Sequence, residues 1–139
     1  MKTDIAKKCG QLLYQGYHCS EAMLVGVGGI LIPIHPQVQK VATGFAGGIG
    51  SSKDDLCGAL SGGIMVIGLL HGRSDPVTDD AECQRLCALY RTKFIEEYGC
   101  TICRDVRAAW EDKPHEERQA RCAQVVERAA EILLNILND

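Results

Sequence analysis

No run of Lys or Arg occurs in this 139-residue sequence, whose 15 Lys and Arg are outnumbered by 18 Asp and Glu for a net charge of −3. Binding a phosphate backbone needs a basic stripe, and these cations are scattered among carboxylates, so no nucleic-acid partner is expected. Long apolar runs are also lacking. The longest, Leu56 to Leu70, carries five small polar or glycine positions, and its length falls short of the ~20 residues that span a bilayer. It reads as a buried helix, with no membrane insertion expected. The N-terminal MKTDIAKKCGQLL has neither the apolar segment nor the cleavage site of a secretory signal, which makes the cytoplasm the expected location. No alternating segment is long enough to be a convincing strand. Hydrolytic chemistry finds no footing: no HExxH is present, no Ser-His-Asp order stands out, and GFAGGIG is not followed by the GK[ST] of a phosphate loop. No internal repeat or low-complexity segment is evident.

What the chain does have is sulfur and glycine, 8 Cys and 15 Gly. Its length suits one domain with a core of its own. Disulfide scaffolds compensate for small cores in secreted proteins, and that need is absent here. In a reducing compartment, clustered cysteines point to metal, redox or catalytic chemistry, alongside cysteines that are simply small core residues.

Helical spacing recurs throughout, predicting an all-α, single-domain bundle of about five to seven helices with Gly-rich apolar helices at its centre. Ile5, Cys9, Leu12 and Leu13 mark a first helix over about 3–14, ended by Gly16. A second, about 20–32, stops at Ile32-Pro33, and Pro36 opens a short third over about 36–44. After the loop GFAGGIGSS comes the apolar helix, about 55–70. Asp79 and Glu82 have capping-box spacing and open a helix over about 79–98, with Cys83, Leu86, Cys87, Tyr90 and Phe94 on its apolar face and Gly99 at its end. Thr101 can cap a short helix over about 102–110. Pro114 opens the last, with Cys122, Val125, Val126, Ala129, Leu133 and Ile136 on one stripe.

Interior glycines weaken a helix by up to ~1 kcal/mol each. Gly26 and Gly29, and Gly58, Gly62 and Gly63, therefore mark close approach, either between helices or to a bound group. The same glycine-lined helices suggest a homodimer. Cys9, Cys83 and Cys87 lie on apolar stripes and read as core. Cys19, Cys57 and Cys103 each fall at the expected first turn of a helix, where unpaired N–H groups and the helix dipole favour a thiolate. The thiolate is the form that binds metal and attacks disulfides. Cys100 and Cys103 form the sole CxxC, which could be redox-active or half of a zinc site. It follows a helix rather than a strand, against a thioredoxin-like fold, and a tetrahedral zinc site would need a second pair of ligands.

In order and spacing, GYHCSEAML, GGIGSSKDDLCGALSGGIMVIGL, FIEEYGCTICRDV and RCAQVV resemble the small bacterial C-GCAxxG-C-C family, described as redox-active, over nearly the whole chain. The resemblance implies that the characteristic cysteines are Cys19, Cys57, Cys103 and Cys122. The chain departs from the family label in having Leu56 before Cys57 and Gly58 after it. Cys103 rather than Cys100 takes the third position because of the Arg-Asp-Val that follows.

These readings converge on a redox site. The leading expectation is an iron–sulfur cluster or other thiolate-bound metal, zinc among them, on Cys19, Cys57, Cys103 and Cys122, with Gly58 and Gly62 leaving room beside it. A metal-free thiol–disulfide protein using Cys57 and Cys103, or Cys100 and Cys103, is the alternative. A helical interaction module with core cysteines is the third. The redox partner and any substrate are not specified by the sequence.

Overall fold

The strongest helical stripe in the sequence becomes the longest helix and organises the others around it. In the computed structural model, which describes residues 1–138, the chain is all-α, with seven helices and no strand among the described residues. Helix α1, Lys2–Gln11, continues into a 3₁₀ turn, Leu12–Gln15, and is closed by Gly16 with φ +100°. Helix α2, residues 19–31, runs from Cys19–Met23 through a wide π-helical turn, Leu24–Gly28, into Gly29–Leu31. Helix α3 is Pro36–Val41, α4 is Gly58–His71 and α5 is Ala81–Tyr98. The single turn α6, Cys103–Val106, precedes α7, His115–Leu137.

Helix α7 buries Val125, Val126, Ala129, Leu133 and Ile136 along the expected stripe and packs along α1 and against α4 and α5. Helix α4 is apolar on nearly every side, so no amphipathic surface position suits it. It occupies the centre, touching α2, α5 and α7, with Leu60, Val66 and Ile67 fully buried.

Two crossings depend on missing side chains. A Cβ on Gly62 would lie 2.6 Å from the Ser20 carbonyl and 2.8 Å from Met23 Cβ, bringing α4 onto α2. A Cβ on Gly63 would overlap the Tyr90 ring, whose hydroxyl donates to the Ala59 carbonyl at 2.8 Å. Of the glycines that suggested a homodimer, Gly62 and Gly63 are thus occupied within the chain. Where α2 meets α1, a Cβ on Gly26 would overlap Cys9 Sγ. Gly29 faces open space, and Gly28 instead packs against Ile34. The π turn rotates the end of α2 relative to a regular helix, which exchanges the two positions.

Several boundaries differ from expectation. Helix α3 gives way at Ala42 to a 3₁₀ turn, Thr43–Phe45, and α6 stops at Val106 rather than reaching 110. The Asp79–Glu82 capping box does not form. Asp80 is the N-cap of α5, Asp79 accepts from the Ala81 N–H, and Glu82 pairs with Arg85 instead. Thr101 does not cap α6, whose N-cap is Ile102. The Thr101 carbonyl accepts from the Cys57 N–H at 2.8 Å. No helix among the described residues is long and apolar enough to cross a membrane.

The two α2 glycines separate packing from propensity. Gly26→Ala must displace Cys9 and is expected to cost about 1–3 kcal/mol. Gly29→Ala meets nothing and should gain up to about 1 kcal/mol. Urea unfolding of both variants checks the opposite signs.

Candidate functional site

Three helices begin around one point, and each brings a cysteine to it. Cys19 is the first residue of α2, after the N-cap His18, whose N–H donates to Glu21 Oε1 at 3.0 Å. Cys57 is the N-cap of α4, and its carbonyl accepts from the Leu60 and Ser61 N–H groups. Cys103 opens α6. A backbone clamp fixes the last two: Leu56 and Ile102 form an antiparallel bridge, and the Cys103 N–H donates to the Asp55 carbonyl at 2.8 Å. Cys122 arrives from the second turn of α7. All four line one small chamber of about 40 Å³, walled also by Gly47, Arg107 and Trp110.

The chamber's remaining wall is a backbone conformation that L-residues avoid. Gly47, Gly48, Ile49, Gly50 and Ser51 have consecutive φ values of +58°, +72°, +68°, +60° and +58°, and Lys53 has +67°. Left-handed backbone costs roughly 1–2 kcal/mol for each non-glycine residue, so the surroundings must hold it. The Lys53 N–H donates to the Gly47 carbonyl at 2.8 Å, Ser52 Oγ donates to the Gly48 carbonyl at 2.7 Å, and the Arg104 N–H donates to the Lys53 carbonyl at 2.8 Å. Glycine is required at position 48, where a Cβ would stand 2.8 Å from Cys103 Cβ and 2.9 Å from the Asp55 carbonyl.

Backbone donors surround Cys19. Its thiol pKa is raised by burial first, partly offset by hydrogen bonds from the Gly47, Ser20 and Gly58 N–H groups, and raised further by Cys122. Burial also pushes Cys57 well up, reinforced by the charges Cys19, Cys103 and Cys122 would carry. Cys103 is raised by burial and by Cys19 and Cys122, against the pull of the Arg107 guanidinium. The expectation that helix N-termini favour thiolates here is therefore corrected for the bare chain. The dipole supplies a partial charge worth about 1 kcal/mol, whereas desolvation of a buried thiol shifts its pKa by several units. Mutual repulsion adds to desolvation because the four sulfurs share one small space.

Of the expected glycines, Gly58 stands at the site, where a Cβ would overlap Cys19 Sγ. Gly62 lies one turn farther along, against Ser20 and Met23, outside the chamber lining. The other cysteines lie elsewhere, and all eight are free thiols. Cys9 is buried against α2, its pKa pushed up to about 12 by burial. Cys83 and Cys87 pack half-buried on α5, where burial and Cys83 push Cys87 up to about 11. Cys100 donates to the Tyr98 carbonyl at 3.4 Å, away from the chamber lining. Among the described residues no three His, Cys, Asp or Glu side chains are arranged to hold one metal ion.

Sequence reasoning does not single out Arg107 or Trp110. Arg107 Nε lies 2.9 Å from Glu111 Oε2, and its guanidinium pulls the Cys103 thiol pKa down against the effect of burial. Trp110 is 9% exposed, and its indole N–H has no acceptor. The single Trp of the chain was the one available signal, and it carries no motif.

A family model described as "Putative redox-active protein (C_GCAxxG_C_C)" matches residues 17–136. A protein of Archaeoglobus fulgidus, described as "Uncharacterized protein", is 30% identical over 138 residues, covering 93% of this chain and 90% of its own. No solved structure matches.

The raised thiol pKa values give stability a pH dependence. A buried thiol whose folded pKa exceeds its unfolded value near 8.5 contributes fully below pH 8.5, and that contribution is lost as pH rises through the folded pKa. For Cys9, with a folded pKa of about 12, unfolding free energy should fall by about 1–2 kcal/mol between pH 8 and 10. Urea unfolding of the metal-free chain at both pH values checks this. Cys9→Ala should remove that share of the drop, and an unchanged drop would refute the assignment.

Proposed function

Because the chain belongs to the C-GCAxxG-C-C family of redox-active proteins, we propose that Cys19, Cys57, Cys103 and Cys122 hold an iron–sulfur cluster used for electron transfer or redox sensing. The observation that carries this reading is the chamber itself: four cysteines from four helices line one small cavity, while the other four lie outside it.

The chemistry of the walls fits such a group. Four cysteine thiolates are a common cluster ligand set. A single tetrahedral zinc would draw its sulfurs to about 3.8 Å from one another, given Zn–S bonds of about 2.3 Å. Among the described residues no three side chains are so arranged, so a single ion would require the cysteines to close together. Trp110 offers a buried N–H without an acceptor, and the left-handed turn brings Gly47 to the chamber wall. Hydrogen bonds to the sulfurs from such donors tune a cluster's potential. The repulsion that neighbouring thiolates would feel here would be offset by cationic iron bound among them. When bound, the cluster supplies one-electron exchange. The chain's own cysteines would hold it, with Arg107 beside Cys103.

Metal-free thiol–disulfide exchange is the second reading, favoured by the free state of Cys57 and Cys103 and by their place in one chamber. Their raised pKa values leave little thiolate at neutral pH, which slows attack. Cys100 lies outside the chamber lining, so the Cys100/Cys103 pairing draws no support from it.

Anaerobic reconstitution with iron and sulfide, followed by visible spectroscopy and iron, sulfide and zinc analysis, tests the leading reading. A coloured protein with matched iron and sulfide is expected, and loading should weaken as pH falls because the ligands must lose protons. Cys57→Ser and Cys122→Ser should each lose most of the chromophore, while Cys83→Ser and Cys87→Ser should retain it. A colourless product containing neither iron nor sulfide would overturn the proposal.

A further inference from the structure

Beside the chamber lies a second, open cavity of about 410 Å³, within the size range of small-molecule sites. The two share Cys19, Gly47, Arg107 and Cys122 as lining residues, so a molecule in the cleft stands against two of the four chamber cysteines.

The cleft is cationic in a chain of net charge −3. Lys53, Arg107 and Arg118 line it, with His18 and His115, and no Asp or Glu does. Glu111, behind this wall, accepts from Lys53 at 2.6 Å and lies 2.9 Å from Arg107 Nε. One carboxylate thus faces three permanent cations. Arg118 has no carboxylate partner among the described residues. Its one protein contact in the cleft wall is a long hydrogen bond of 3.5 Å to the Glu111 backbone carbonyl, which leaves donors for a ligand.

Local structure explains why the cations converge. His115, Arg118, Gln119 and Cys122 are spaced i, i+3, i+4 and i+7 on α7 and so share one face of its first two turns. Gln119 donates to the Leu13 carbonyl at 3.1 Å, fixing that face against the end of α1. Lys53 is delivered by the left-handed segment. Leu13 and Tyr17 supply an apolar flank.

We propose that this cleft binds a small organic or inorganic anion carrying two or more negative charges, as carboxylates or phosphates, and seats it against Cys19 and Cys122. The inference goes beyond the cluster reading and does not depend on it, because the cations and the cleft belong to the bare chain. A doubly charged ligand matches the wall better than a neutral one: each anionic group can meet a guanidinium or ammonium in a partly desolvated space.

The test uses the metal-free full chain at pH 8.5 and low ionic strength. Carboxymethylation by anionic iodoacetate is compared with alkylation by neutral iodoacetamide, cysteine by cysteine, by mass spectrometry. The iodoacetate-to-iodoacetamide rate ratio should be at least roughly fivefold higher at Cys122 than at Cys83, and Arg118→Gln and Lys53→Gln should each lower it by roughly threefold. Calorimetry with inorganic pyrophosphate and with citrate, neither of which reacts with thiols, separates phosphate from carboxylate recognition. Saturable binding of either that slows alkylation of Cys19 or Cys122 supports the proposal. Equal rate ratios at Cys122 and Cys83, binding of neither probe, or binding that leaves both thiols unprotected would overturn it. Because no iron is present, none of these outcomes bears on whether the chamber holds a cluster.

Discussion

Four cysteines brought to the lining of one small chamber are the constraint on which this structure turns. Burial raises the thiol pKa of Cys19, Cys57 and Cys103, and each sulfur's charge would raise its neighbours' further. A packed core offers nothing in return for crowding titratable groups in this way. The surroundings nevertheless aim backbone N–H groups at Cys19 and a guanidinium at Cys103. Those donors stabilise negative charge on the sulfurs and so offset part of the cost of crowding them.

The fold around the chamber follows from bringing helix starts together without bulk between them. Gly58 lets α4 begin beside Cys19, and Gly62 lets it continue against Ser20. Ser20, fully buried, ties α2 to the end of α3 through a 2.7 Å hydrogen bond to the Ala42 carbonyl. Gly48 lets the left-handed turn pass beside Cys103. Strained backbone of this kind persists only where neighbouring contacts over-determine it, and here the Leu56–Ile102 bridge and the Arg104–Lys53 hydrogen bond supply those contacts.

Much of this was legible in the sequence. The stripe of Cys122, Val125, Val126, Ala129 and Leu133 sets α7, and Gly16 and Gly99 close α1 and α5 as their type predicts. Placing Cys19, Cys57 and Cys103 at helix starts follows from the residues before them. The thiol energetics were not legible, because first-turn position is a local property and burial depends on what packs from elsewhere in the chain. The run from Gly47 to Ser51 reads as a loop from its glycines, yet Ile49 and Ser51 adopt positive φ only because long-range contacts hold them. Gly29 fails for a similar reason: spacing assumes 3.6 residues per turn, and the π turn at Leu24–Gly28 breaks that assumption.

Arg107 joins the two cavities electrostatically. It lowers the Cys103 thiol pKa, pairs with Glu111 and lines both the chamber and the cleft. Negative charge gained in the chamber and negative charge arriving in the cleft therefore draw on the same guanidinium, through a medium less polar than water in which such interactions weaken slowly with distance. The Glu111 carboxylate holds Arg107 and Lys53 in place while cancelling one of their two charges. Arg118, with no carboxylate of its own, leaves the balance of the wall positive at the point where the cleft meets Cys122.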